Sequence, residues 1–224
     1  MNILFEDNHL LVVVKEPNVP MQEDESQDLD LLTMGKEYLR QKYDKPGNVY
    51  LGLVHRLDRP VGGVVVFAKT SKAAARLSEA VRTHQLHKEY LAIIEGELPD
   101  RGSLNDYLRK DTQHNTSKVV DAKDPEGKLS TLRYEVQERS DFLSLVKIEL
   151  ITGRSHQIRV QFSSRKTPLW GDARYNSGSK AGQQIALWAV RLSLPHPVTK
   201  ETLTFVSEPP TTFPWSRFKS QKPE

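Results

Sequence analysis

The sequence predicts an α+β protein built on a mainly antiparallel, mixed β-sheet with flanking helices. Two observations predict it. Strand-like runs outnumber helix-like periodicities, and they often follow one another with only a turn between. No internal repeat, low-complexity tract or flexible linker divides the 224 residues, so a single domain over 1–224 is expected.

The elements follow in order. Residues 2–14 read as two strands around a turn at Asp7-Asn8, the second being the apolar run 10–14. Pro17, Asn18 and Pro20 end it, and residues 21–30 form an acidic surface loop. Leu31, Leu32, Met34, Tyr38 and Leu39 recur at near-helical spacing, predicting a helix over 31–43 that stops at Lys45-Pro46-Gly47-Asn48. Residues 50–54 make a short strand, and 64–68 a β-branched buried one. Ser71 is the expected N-cap of a helix over 72–86, with Ala74, Leu77, Ala80 and Val81 on one face. Residues 90–94 are a strand, whereas 99–128, polar and glycine-containing, offer short strands at best. Residues 132–136 and 142–151 alternate as paired antiparallel strands. A helix entered through Ser155 runs to Ser163, a long loop occupies 167–183, and strands at 185–194 and 202–206 flank the turn Pro195-His196-Pro197. The tail 209–218 is aromatic and proline-rich.

Composition excludes several classes of function. The chain has no cysteine, which removes disulfide scaffolds, thiol nucleophiles and Cys-ligated metal sites. No segment approaches the roughly 20 apolar residues of a membrane span, and the start lacks the pattern of a signal peptide. A cytoplasmic protein without membrane association is expected. Net charge is +3 but unevenly placed: residues 1–30 hold eight acidic side chains and one basic one, Lys15, which leaves 31 basic and 21 acidic residues in the remainder. A basic body suits a polyanionic partner. There is no Walker sequence, no GxGxxG opening a helix and no GxSxG, so nothing supports a nucleotide cofactor or a serine hydrolase elbow. His84 and His87 lack a third ligand, and no metal site is expected.

Three stretches carry candidate chemistry. In His55-Arg56-Leu57-Asp58-Arg59-Pro60 a carboxylate stands between two arginines, which would hold it ionised as a nucleophile or base. The plain alternative is a turn-capping Asp58 with solvated arginines. In Gly153-Arg154-Ser155-His156-Gln157-Ile158-Arg159, Arg154, His156 and Gln157 are candidate donors to phosphates or base edges. Six basic residues and one acid, Asp172, lie between Gly153 and Lys180; a solvated basic loop is the alternative. Tyr90 opens an apolar strand and can lay its ring against a flat substrate, or be an ordinary strand tyrosine. Trp170, Tyr175, Trp188, Phe213 and Trp215 can stack on bases, although packing is the default for each.

Together these stretches resemble the RluA-type pseudouridine synthases. HRLDRPVGGVVVFAKTSKAA (55–74) looks like that family's catalytic motif, and KEYLAIIEGEL (88–98) like its tyrosine strand. LITGRSHQIRVQF (150–162), followed by PLWGDARYN (168–176), resembles the third motif and its loop, and ALWAVRLSLPHPVT (186–199) the closing strand. Four pieces in the family's order cover nearly the whole chain, to about residue 208.

The resemblance implies a central RNA-binding cleft and isomerisation of uridine to pseudouridine in RNA without metal or cofactor. It puts Asp58 on the essential aspartate, acting at C1′ of the sugar or as a base at C2′. It puts Arg159 on that aspartate's ion-pair partner, and Tyr90 on the residue stacked under the target base. Arg56 falls on the residue that fills the stack vacated when the base flips out, Leu187 on an apolar contact to the base, and His55 beside them on the RNA side. Val61 and Gly62 depart from the family's usual threonine and serine, and Trp188 and Gln161 stand where histidines are common. No separate S4-type RNA-binding domain is expected, so target choice would come from 99–128 and the tail. The partner is ribosomal or transfer RNA, DNA is not expected, and the chain should act as a monomer. Two other classes compete: a catalytically silent RNA-binding protein or RNA chaperone on the same fold, and a metal-dependent hydrolase or nuclease using Asp58. The lack of a second nearby carboxylate speaks against the latter.

Overall fold

Two apolar runs that never alternate, LLVVVK and GGVVVFA, are buried along their whole length. Such runs are strands covered on both faces. In the computed structural model, which describes residues 1–180 and 182–219, they form β2 (Leu10–Lys15) and β4 (Gly62–Ala68), paired antiparallel from Leu10 opposite Ala68 to Lys15 opposite Gly63. The chain gathers into two compact units, Met1–His87 with Ala189–Ser207, and Lys88–Trp188 with the segment from Glu208 onward.

In the first unit β1 (Asn2–Glu6) pairs with β2, β3 (Gly52–Leu53) with β4, and β11 (Thr202–Val206) with β10 (Leu187–Pro195), all antiparallel; β10 lies next to β4. Helix α2 (Ser71–Arg82) buries Ala73 and Leu77 with Leu10, Val12, Val64, Val66, Leu192 and Leu194. Burying one such leucine contributes about 2 kcal/mol. Helix α1 (Leu31–Lys42) meets the side of β2 that carries Leu11, where a Cβ on Gly35 would stand 3.6 Å from Leu11 Cδ2. Asp30 caps α1 by accepting the Thr33 N–H at 3.0 Å. The α2 cap is Thr70, not the expected Ser71, because the Thr70 hydroxyl accepts the Ala73 N–H at 3.1 Å. The helix also stops at Arg82 rather than 86: His84 turns left-handed at φ 56°, freeing Leu86 to enter the core.

Glu6 ties this unit together. Its carboxylate accepts from Tyr38 and Lys42 on Oε2 (2.9 and 2.7 Å) and from Tyr43 and Lys69 on Oε1 (both 2.7 Å). Burial pushes its pKa up, but these four donors more than reverse that and hold it at about 2.

In the second unit the strand order is β5 (His87–Glu95), β9 (Leu143–Leu150), β8 (Lys128–Ser140), β6 (Arg101–Asp111), β7 (Thr116–Val120), with antiparallel pairing throughout. The polar stretch 99–128 therefore contains an eleven-residue strand, β6, where short strands at best were expected. Its RGSLNDYLRKD sequence has low intrinsic strand preference; pairing with β8 on one side and β7 on the other overrides it. The short helix α3 (Gln157–Ser163) starts two residues later than expected, after His156 in the left-handed conformation, and Ser155 does not cap it. No described helix is long and apolar enough to cross a membrane.

Candidate active site

Asp58 lies in the connection from β3 to β4, and its carbonyl accepts the Val61 N–H at 2.9 Å, closing a tight turn. Leu57 is buried beside it, Asp58 is half-buried, and Arg56 and Arg59 are exposed. The turn leads into Gly63 at φ +123°, where a Cβ would come within 2.3 Å of the Ala189 carbonyl oxygen, so only glycine fits.

The structure corrects the expected electrostatics of this turn. Arg59 does not serve Asp58: its guanidinium is bound by Asp24 (3.4 Å), the Ser26 hydroxyl (2.8 Å) and Asp28. The acidic surface loop is thus a holder for Arg59, through exposed ion pairs worth about 0–1 kcal/mol each. The buried cation on the turn is Lys15, which sequence reasoning only counted. It is 0% exposed and donates to the carbonyls of Glu16 (3.0 Å), Val19 (2.8 Å) and Arg59 (2.8 Å). Burial pulls its pKa down to about 7, while the Asp58 carboxylate attracts its charge in the opposite sense. Its position at the end of an otherwise apolar strand was the available signal.

His55, assigned to RNA contact, has a structural task as well. Its Nε2 accepts the Val66 N–H at 3.1 Å, one residue from where β3 pairs with Phe67 of β4. A ring nitrogen that accepts carries no proton, so the neutral ring is protonated at Nδ1.

In the second unit Tyr90 is buried in β5 opposite Ile148, and Lys88 lies on the same face of that strand. Lys88 Nζ packs 3.0 Å from the point where a Cβ on Gly153 would stand, and burial pushes its pKa down. Leu187, buried, begins β10.

The third stretch divides by chemistry. Arg154 is exposed, its Nε donating to the Leu129 carbonyl at 3.3 Å. Gln157, expected to reach RNA, is 2% exposed: Oε1 accepts from Thr152 Oγ1 (2.8 Å) and the Arg154 N–H (3.1 Å), and Nε2 donates to the Thr131 carbonyl (3.1 Å). Its amide is built into the loop, and this corrects the expectation. Gln161 is likewise internal, donating to Asp106 and to the Leu104 and Ser130 carbonyls.

Arg159 is buried against Asp172, with Nε to Oδ2 at 2.8 Å and Nη2 to Oδ1 at 2.7 Å. This two-bond pairing sets the plane of the guanidinium. Asp172, not singled out as a site residue, had one sequence signal: it is the sole acid in that basic stretch. Tyr175 completes the group, its ring 5.2 Å under the Arg159 guanidinium carbon. Trp188 and Trp215 are buried, and Trp170 packs edge-on against Phe213 at 5.3 Å, so packing describes all three. Among the described residues no group of three His, Cys, Asp or Glu side chains could hold a metal ion.

Comparison with known proteins bears on this arrangement. Residues 9–164 match the family model described as RNA pseudouridylate synthase. The chain is 36% identical over 213 residues to the uncharacterized RNA pseudouridine synthase YhcT of Bacillus subtilis, covering 94% of this chain and 68% of that protein. It is 33% identical over 211 residues to ribosomal large subunit pseudouridine synthase C of Escherichia coli K12, covering 90% of this chain and 64% of that one. The chain therefore spans about two thirds of the length of these relatives. In fold it is similar to human RNA pseudouridylate synthase domain containing 1 (TM-score 0.76, 23% identity, 95% of this chain and 84% of that chain). Human RNA pseudouridylate synthase domain containing 4 is similar as well (TM-score 0.75, 24%, 93% and 88%).

Proposed function

This chain belongs to the RNA pseudouridylate synthase family, and from that premise we propose that it isomerises uridine to pseudouridine in RNA, with Asp58 as the catalytic carboxylate. The observation that carries the reading is the family match over residues 9–164, which runs through Asp58, Tyr90 and Arg159.

The reaction is atom-balanced. The bond from C1′ to N1 of uracil breaks, the base turns, C5 bonds to C1′, and C5 gives up its hydrogen as a proton while N1 gains one. Asp58 attacks C1′ or takes a proton from C2′; either step needs an ionised carboxylate held in place. The tight turn at Val61 and the Lys15 bond to the Arg59 carbonyl supply rigidity on both sides of Asp58. Tyr90 stacks under the base, Leu187 gives it an apolar contact, and Arg159, oriented by Asp172, supplies positive charge. A stacked uracil cannot turn, so the nucleotide is flipped out at a cost of a few kcal/mol, and Arg56, exposed beside Asp58, fills the gap. His55, Arg154 and His156 contact RNA around it.

The relatives named for the ribosomal large subunit make its RNA the first substrate to try. We place the protein in the cytoplasm, acting as a monomer on RNA and not on DNA, with residues 1–224 as one catalytic domain. The test is tritium release from unmodified ribosomal and transfer RNA transcripts carrying 5-tritiated uridine. Release by the wild type in the presence of a chelator, and none by Asp58→Asn with RNA binding retained, is the expected result. Binding without release would favour the RNA-chaperone reading.

A further inference from the structure

Tyr175 follows α3 in the chain, between that helix and β10, and its phenol makes three contacts at once. The Ser117 N–H, at the start of β7, donates to Oη at 2.7 Å. His156 Nδ1 lies 2.8 Å from the same oxygen. The ring centroid lies 5.2 Å from the Arg159 guanidinium carbon, within cation–π range. Burial pushes the Tyr175 pKa up, so the phenol keeps its proton.

Ser117 occupies a lone pair of Oη as donor, and among the described residues His156 Nδ1 is the acceptor in reach. A buried hydroxyl proton without an acceptor costs about 1–3 kcal/mol, and an O–H that points at Nδ1 avoids that cost. In that arrangement Nδ1 of His156 is the acceptor, and the neutral ring carries its proton on Nε2. The ring is also held edge-on to Tyr175, with centroids 5.6 Å apart at 76°. His156 needs such bracing because its backbone is left-handed, at φ 53°.

The same segment grips the β6–β7 hairpin. Ser117 Oγ donates to the Ser155 carbonyl at 2.8 Å, and Arg174 Nη1 donates to the carbonyls of His114 (3.2 Å) and Asn115. The hairpin, the loop before α3 and the loop carrying Asp172 therefore converge on one phenol.

We propose that Tyr175 is a positioning residue for the reaction: its hydroxyl fixes His156 in the Nε2–H tautomer while its ring braces Arg159, and Ser117 links both to the β6–β7 hairpin. This rests on the pseudouridine synthase reading above.

Tyr175→Phe tests it, since it keeps the ring and removes only the hydroxyl. Two-bond 1H–15N spectra of histidine-labelled protein should show His156 as the Nε2–H tautomer in the wild type and as a mixed or protonated ring in the variant. Tritium release from the transcript pool should fall about tenfold in kcat with KM changed less than about twofold. In a His156→Ala background, Tyr175→Phe should add less than about a twofold loss, because its effect through the histidine is already gone. An unchanged tautomer, wild-type kcat in Tyr175→Phe, or losses that multiply in the double variant each overturn the inference while leaving the activity standing. No release from the wild type overturns the activity and this inference with it.

Discussion

Lys15, at the end of β2, donates a 2.8 Å hydrogen bond to the carbonyl oxygen of Arg59, the residue that follows Asp58, across 44 positions of sequence. The candidate catalytic turn is thus fastened from beneath by a fully buried ammonium whose other donors go to Glu16 and Val19. Fixing a reactive group through its backbone leaves its side chain to the chemistry.

Lys15→Met should therefore cost both stability and activity. The substitution keeps the apolar stem but leaves three carbonyls without their donor, and we expect a loss of about 3 kcal/mol in urea unfolding. Tritium release at a temperature where the variant remains folded should drop at least about tenfold, because the Asp58 turn loosens. Wild-type unfolding and release together would show that the buried lysine is dispensable.

Glu6 should set part of the acid sensitivity. Its folded pKa of about 2 lies below its ordinary value of 4.5, so the unfolded chain binds its proton first as pH falls. Its stabilisation is present above pH 4.5 and is lost progressively down to pH 2. The linked amount is about 3 kcal/mol. Glu6→Gln should be less stable at pH 7 and lose less between pH 4.5 and pH 2.5, as followed by urea unfolding at each pH.

Gly63→Ala should be among the most damaging small changes. Its added Cβ meets the backbone of Ala189 at 2.3 Å, and its φ of +123° is a conformation alanine avoids. A loss of about 3 kcal/mol or more is expected by thermal unfolding. A melting temperature within a degree of the wild type would contradict the close approach of these two segments.

Arg154 and Gln157, three residues apart, should behave oppositely. Gln157→Ala removes a buried amide with three partners and should destabilise by about 2–3 kcal/mol. Arg154→Ala removes an exposed cation: stability should stay within about 0.5 kcal/mol, and the slope of log K for RNA against log salt should shrink by about 0.7–0.9. Equal effects on stability would refute the division made by burial.

The sequence by itself determined the α+β class, the buried strands β2 and β4, both long helices to within a few residues, and the family through its ordered motifs. These are local signals: periodicity, β-branched runs, capping residues and linear motifs. Only the tertiary structure decided which charge meets which. Asp24 and Asp28 look like part of a solvated acidic loop until Arg59 is found between them. Lys15 looks like a surface lysine until Val19 and Arg59 close over it. Gln157 reads as a donor for RNA, but Thr131 and Thr152, brought together by the β8–β9 pairing, enclose its amide. Strand β6 has no pattern of its own and exists because two neighbours pair with it. Partners of buried polar groups are set by long-range chain crossings, which local sequence does not encode, and the burial of an ion or amide follows from those partners.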